Sequence, residues 1–149
     1  MINVLVADDS KVIRGKLIKF LPRLGRTYNF FEAASGEEAL KICESQSVDV
    51  AILDINMPGI DGITTLQVLK EKFSIPSIIF SSFTKKNLSL TYEAIELGAF
   101  DVIHKPHGIT GESFDDVIKK ISTHLESIDS NGKESVVDKG SLRGIIVIG

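Results

Sequence analysis

Val50-Ala51-Ile52-Leu53-Asp54-Ile55-Asn56 places four small or aliphatic residues in a row and then a solitary acid. A strand with one wet face alternates apolar and polar residues. This run does not alternate, so it reads as a strand covered on both faces, as in a parallel sheet between two layers of helices. Similar runs recur on either side of it: Ile2 to Ala7, Phe30 to Ala33, Ser77 to Phe80, and Val102-Ile103. Helical patterns fill the gaps. Ile13, Leu17, Phe20 and Leu21 share one helix face, as do Phe114, Val117, Ile118, Ile121 and Leu125. Ser35-Gly36-Glu37-Glu38 reads as a capping box that opens a helix through about Ser45, and Ser113 with Asp116 opens the last helix the same way. Gly98, after the periodic stretch Leu88 to Leu97, marks a left-handed helix end.

Strand and helix therefore alternate throughout, and crossovers between parallel strands are nearly always right-handed. The expected fold is α/β: a flavodoxin-like, doubly wound, five-stranded parallel sheet in the order 2-1-3-4-5 with helices on both faces. A length of 149 residues allows one such domain and a short appendage. From Ser127 the composition turns to Ser, Asp, Asn, Gly, Lys and Glu. Residues 1–128 thus read as the domain, 129–141 as a linker, and 142–149, which include Ile145-Ile146-Val147-Ile148-Gly149, as the first strand of a further, truncated domain.

Composition removes several function classes. Hydrophobic residues at 43% and charged residues at 25% are ordinary globular usage. A net charge of −3 supplies no basic field for a nucleic-acid backbone. The charge-free run Phe73 to Thr84 contains Pro76 and is too short to insert in a membrane. Cys43 is the single cysteine, so no internal disulfide forms. Asp8 and Asp9 stand where a signal peptide would need apolar residues, and the expected address is cytoplasmic.

In open parallel sheets, ligands bind beyond the carboxyl ends of the strands. Those ends read Asp8-Asp9-Ser10, Asp54-Ile55-Asn56, Ser81-Ser82 and His104-Lys105-Pro106. Two carboxylates about 4 Å apart repel by about 4 kcal/mol at an effective dielectric near 20. A hard cation resolves that cost, and Mg²⁺ characteristically takes one or two carboxylates and completes its shell with phosphate oxygens. The expected site has Asp8, Asp9, Asp54 and the backbone carbonyl of Asn56 around Mg²⁺. Asp54 is the nucleophile for phosphoryl transfer, while Lys105 and Ser81 reach phosphoryl oxygens.

Asp8-Asp9-Ser10, Asp54 through Gly59 with Asp61-Gly62, Ser81, and Lys105-Pro106 together resemble the signature of response-regulator receiver domains in two-component signalling. The resemblance implies that Asp54 accepts a phosphoryl group from a sensor histidine kinase. It further implies that Asp8 and Asp9 hold Mg²⁺, that Ser81 is the switch hydroxyl and that Lys105 is the family's lysine. Arg14, the Ser81-Ser82 pair and Leu97-Gly98-Ala99-Phe100-Asp101 are more narrowly similar to the receiver of chemotaxis protein-glutamate methylesterases. The tail resembles the opening strand of the esterase domain. This chain would then be the regulatory part of such an enzyme, without the esterase machinery. A receiver acting alone or with another output domain is the alternative. One departure stands out: receivers place an aromatic switch residue three positions before the lysine, where this chain has Val102. Phe83 and Phe100 are the nearby aromatic candidates for a partial replacement, and the spacing supports neither.

Two other classes compete. A metal-dependent phosphohydrolase of the haloacid-dehalogenase type also forms an aspartyl phosphate, but it needs an acid two residues after the nucleophile, where Asn56 stands. A flavin carrier of the same architecture needs an uncharged phosphate loop, and Asp8-Asp9 would repel its phosphate. His104 and His107 have no ligand partners nearby in sequence, Cys43 shares a core-facing side with Leu40, and Lys70-Glu71-Lys72 reads as a solvated face.

Overall fold

The computed structural model describes residues 1–24, 27–82, 84–106 and 113–131. Five strands, β1 (Ile2–Ala7), β2 (Tyr28–Ala33), β3 (Val50–Leu53), β4 (Ser77–Ser81) and β5 (Asp101–His104), alternate with helices α1 (Lys11–Phe20), α2 (Gly36–Ser45), α3 (Gly62–Phe73), α4 (Lys85–Glu96) and α5 (Phe114–Asn131). A 3-10 turn at Leu21–Leu24 extends α1. The strands pair in parallel in the order β2-β1-β3-β4-β5, as the aliphatic runs predict.

Strand alternation sends successive side chains to opposite faces, and both faces are dry. Leu5, Leu53 and Ile79 join Ala39, Leu66, Leu69 and Ala94 on the side of α2, α3 and α4. Val4, Val6, Ile52, Ile78 and Phe80 join Leu17, Val117, Ile121 and Leu125 on the side of α1 and α5. β3 is buried at every position, which accounts for its lack of polar residues. Cys43 is buried in the first of these cores, where desolvation pushes its thiol up to about 11 and keeps it an inert apolar filler.

Helix starts follow the chemical marks. Ser10, Ser35, Asp61 and Thr84 each accept a hydrogen bond from the backbone N–H three residues on. Ser113 and Asp116 exchange bonds at 3.2 and 3.3 Å. In α2 the Glu38 carboxylate reaches back to the Ala34 amide rather than to that of Ser35. Gly98 takes φ +95°, a conformation that favours glycine. Lys70 departs from a purely solvated reading, because its ammonium donates to the Leu97 carbonyl at 2.8 Å and ties α3 to the C-terminal end of α4.

Three boundaries differ from expectation. β2 begins at Tyr28, α4 at Lys85, and α5 runs on to Asn131, so the first positions assigned to a linker are helical. Phe83, His107, residues 132–141 of the expected linker and the expected strand at 142–149 lie outside the described residues.

Candidate functional site

The sheet's hydrogen-bond ladder continues past the strand ends and fixes the backbone of the acidic residues. Ala7 of β1 pairs with Leu53 of β3, so Asp8 and Asp54 emerge side by side. The Asp54 amide donates to the Ala7 carbonyl at 2.9 Å, and the Asp8 amide to the Ala33 carbonyl at 3.0 Å. On the other side the Lys105 amide donates to the Ser81 carbonyl at 2.8 Å. Asp8, Asp54, Ser81 and Lys105 are thus seated by the backbone of adjacent strands.

The side chains converge. Asp8, Asp9 and Asp54 offer carboxylate oxygens that all lie within 4.8 Å of one another. Lys105 Nζ stands 2.8 Å from Asp8 Oδ2 and 3.4 Å from Asp54 Oδ2. Asp8 and Asp54 are buried, whereas Asp9 is exposed. The other Asp8 oxygen accepts from the Ser10 amide at 2.9 Å. Burial, and then the Asp8 carboxylate, push the Asp54 carboxyl up to about 6 against the opposing pull of Lys105 and the Asn56 amide. An all-oxygen set of three carboxylates with one exposed member fits a hard divalent cation that keeps part of its water shell.

Ser81 Oγ is fully buried and has no hydrogen-bond partner among the described residues. The Asn56 backbone N–H donates to Asp54 Oδ1 at 3.3 Å. Arg14 secures the acidic loop from α1: its Nη1 donates to the Asp8 carbonyl at 2.6 Å and its Nε to Glu32 at 2.9 Å. α3 backs closely onto the site, since a Cβ built on Gly62 would lie 2.2 Å from the Asp54 carbonyl oxygen.

Of the aromatic replacements, Phe100 packs on the α1 and α5 side with its ring 5.1 Å from that of His124, while Val102 packs on the opposite side of the sheet. His124 Nε2 lies 2.5 Å from Asp101 Oδ2 and ties α5 to β5. Asn87 escaped the sequence reading. It is buried in the first turn of α4, where an asparagine ordinarily reads as solvated, and the Thr84 cap three residues earlier was the one available signal.

Residues 4–111 match the family of response regulator receiver domains. The chain belongs to that family. Among curated relatives, this receiver is 42% identical over 108 residues to the protein-glutamate methylesterase/protein-glutamine glutaminase of Bacillus subtilis, covering 72% of this chain and 30% of the relative. It is 31% identical to such a protein of Methanosarcina mazei, in an alignment covering 100% of this chain and 46% of the relative. The receiver spans less than half the length of these relatives. The response regulator domain of Thermotoga maritima CheB is 30% identical with a TM-score of 0.66, covering 93% of this chain and 99% of that one. A CheY-like receiver from Methanospirillum hungatei, 23% identical with a TM-score of 0.71 over 87% and 98% of the two chains, shares the fold. No helix among the described residues of the receiver is long and apolar enough to cross a membrane.

Proposed function

We propose that this receiver is a phosphorylation-controlled switch whose phosphoacceptor is Asp54. The observation that carries the reading is a buried carboxylate at the end of a central strand, beside two further acids and within reach of the Lys105 ammonium. Asp8, Asp9, Asp54 and the Asn56 carbonyl would hold Mg²⁺, which supplies charge neutralisation for a bound phosphoryl group. An Asp54 oxygen attacks phosphorus as the bond to the donor breaks. With a phosphohistidine of a sensor kinase, the P–N electron pair leaves on the imidazole, which takes up a proton. Lys105 steadies one phosphoryl oxygen and the Ser81 hydroxyl donates to another. Asn56, unlike an acid at that position, offers no proton shuttle to hydrolytic water, which favours a lasting phosphoryl group over turnover.

The names and lengths of the relatives support an esterase output domain joined to this receiver, with the receiver's state governing access to it. The cytoplasm, where kinase and output would meet, is the corresponding address. Incubation with Mg²⁺ and acetyl phosphate should add one phosphoryl mass, and borohydride reduction followed by peptide mapping should place it on Asp54. A label on any other residue would overturn the assignment.

The acids have unequal roles. Asp8 has one oxygen on Lys105 and the other on the Ser10 amide, while Asp9 is exposed. Asp9 is therefore the direct ligand and Asp8 acts mainly through water. Asp9→Ala should weaken Mg²⁺ binding in a calorimetric titration by about tenfold or more, the scale of losing a charge-assisted contact, and Asp8→Ala by less. Equal or reversed effects would refute this division.

A further inference from the structure

Asn87 links parts of the molecule that no other described side chain joins in the same way. Its Oδ1 accepts from Asn56 Nδ2 at 3.0 Å, and its own Nδ2 donates to the Ser82 carbonyl at 2.9 Å. Its backbone amide donates to the Thr84 hydroxyl at 3.1 Å, which fixes the residue in the first turn of α4. The chain of bonds has one polarity. Turning the Asn87 amide over would set its oxygen against the Ser82 carbonyl, so the acceptor end must face Asn56. The residue is only 2% exposed, and water does not compete with these bonds.

The bonds join the loop after β3 to the loop after β4. Asn56 lies two residues beyond Asp54, and Ser82 is bonded directly to Ser81. Ser81 holds a fully buried hydroxyl without a hydrogen-bond partner among the described residues, a condition that favours movement toward any acceptor placed on Asp54. Movement of Ser81 carries the Ser82 carbonyl with it and opposes the bond from Asn87. Two forces therefore meet at adjacent residues. One is an unsatisfied hydroxyl drawing the loop inward, and the other is an asparagine holding it where it is.

We propose that Asn87 is a positioning residue that latches Ser82, just beyond β4, in the resting state, and that phosphoryl occupancy of Asp54 breaks the Asn56–Asn87–Ser82 bridge. This inference rests on the phosphoacceptor reading of Asp54. Its consequence is that removing the latch favours the occupied state. A purely structural asparagine would give the opposite result, since losing it would loosen the site and weaken binding.

The test is calorimetric titration of the whole chain with fluoroberyllate, a phosphoryl mimic, in the presence of Mg²⁺. Asn87→Ala should bind the mimic about fivefold more tightly than the parent, the worth of roughly one net hydrogen bond. Asn56→Ala breaks the same bridge from an exposed position, should show the same gain, and decides the matter if Asn87→Ala does not fold. The double variant should gain no more than either single one, because one bridge can be broken only once. Unchanged or weaker binding by the variants, or gains that add, would overturn the latch while leaving Asp54 as phosphoacceptor. A parent that takes up no fluoroberyllate would overturn both.

Discussion

Asp54→Asn is expected to abolish phosphoryl uptake and, in the same protein, to raise the melting temperature at pH 7.5 without divalent metal. The Asp54 carboxyl is pushed from 3.8 to about 6. Below pH 4 it is protonated in folded and unfolded chains alike and contributes nothing. Between pH 4 and 6 the folded chain holds a proton that the unfolded chain has released, so this group's contribution to stability falls as pH rises. Above pH 6 the penalty is complete, at most about 3 kcal/mol for a shift of this size. Asparagine keeps the shape and never ionises. It also deprives Lys105 of one partner, although Asp8 remains at 2.8 Å. A net gain of about 2 kcal/mol at pH 7.5, shrinking toward zero near pH 4, is the expected result. Thermal melts of both proteins at the two pH values decide it. Equal stability at pH 7.5 would mean that Lys105 fully offsets the burial of Asp54.

Gly62→Ala should be the most damaging small substitution near the site. An added Cβ meets the Asp54 carbonyl oxygen at 2.2 Å and Ile55 Cα at 2.7 Å, and neither backbone group can rotate aside. The start of α3 must back away from β3, or β3 must shift and carry Asp54 with it. A loss of about 3 kcal/mol or more, and a fall in melting temperature of roughly 10 °C, is the expected scale. Slower acetyl phosphate labelling should accompany it in whatever fraction remains folded. A stable, normally labelled Gly62→Ala would show that α3 can retreat without disturbing the acid.

The layered fold was legible because two-sided burial leaves an unmistakable mark on β1, β3 and β4, whose polar residues are few: Asn3 near the start of β1 and Ser77 and Ser81 at the two ends of β4. β2 lies at the sheet edge and pairs with β1 alone, so Asn29 and Glu32 interrupt its apolar character and hide its start. α4 begins with Lys85-Lys86-Asn87, a polar turn with no apolar period, and only the Thr84 cap marks it. The acidic residues were legible because strand ends in a parallel sheet share one edge, which turns sequence order into proximity. Arg14, Lys70 and Asn87 were harder to place. Their partners are backbone carbonyls of Asp8, Leu97 and Ser82, which look the same in every residue and leave no trace in a sequence.

The two ends of α4 are held by bonds of different kinds. At its C-terminal end Lys70 grips the Leu97 carbonyl from α3, well away from the acids. At its first turn Asn87 is tied to the loops that carry them. Once the latch at the first turn is broken, the Lys70 bond at the other end would leave the helix free to pivot about its C-terminal end. Leu88, Tyr92 and Ile95 expose their side chains along it, and the rise of an α-helix puts about 10 Å between Leu88 and Ile95. A tilt that starts at the first turn displaces Leu88 most and Ile95 least. A surface resting on α4 would therefore sense an angle, and release of the first turn would reach it already sorted by position along the helix.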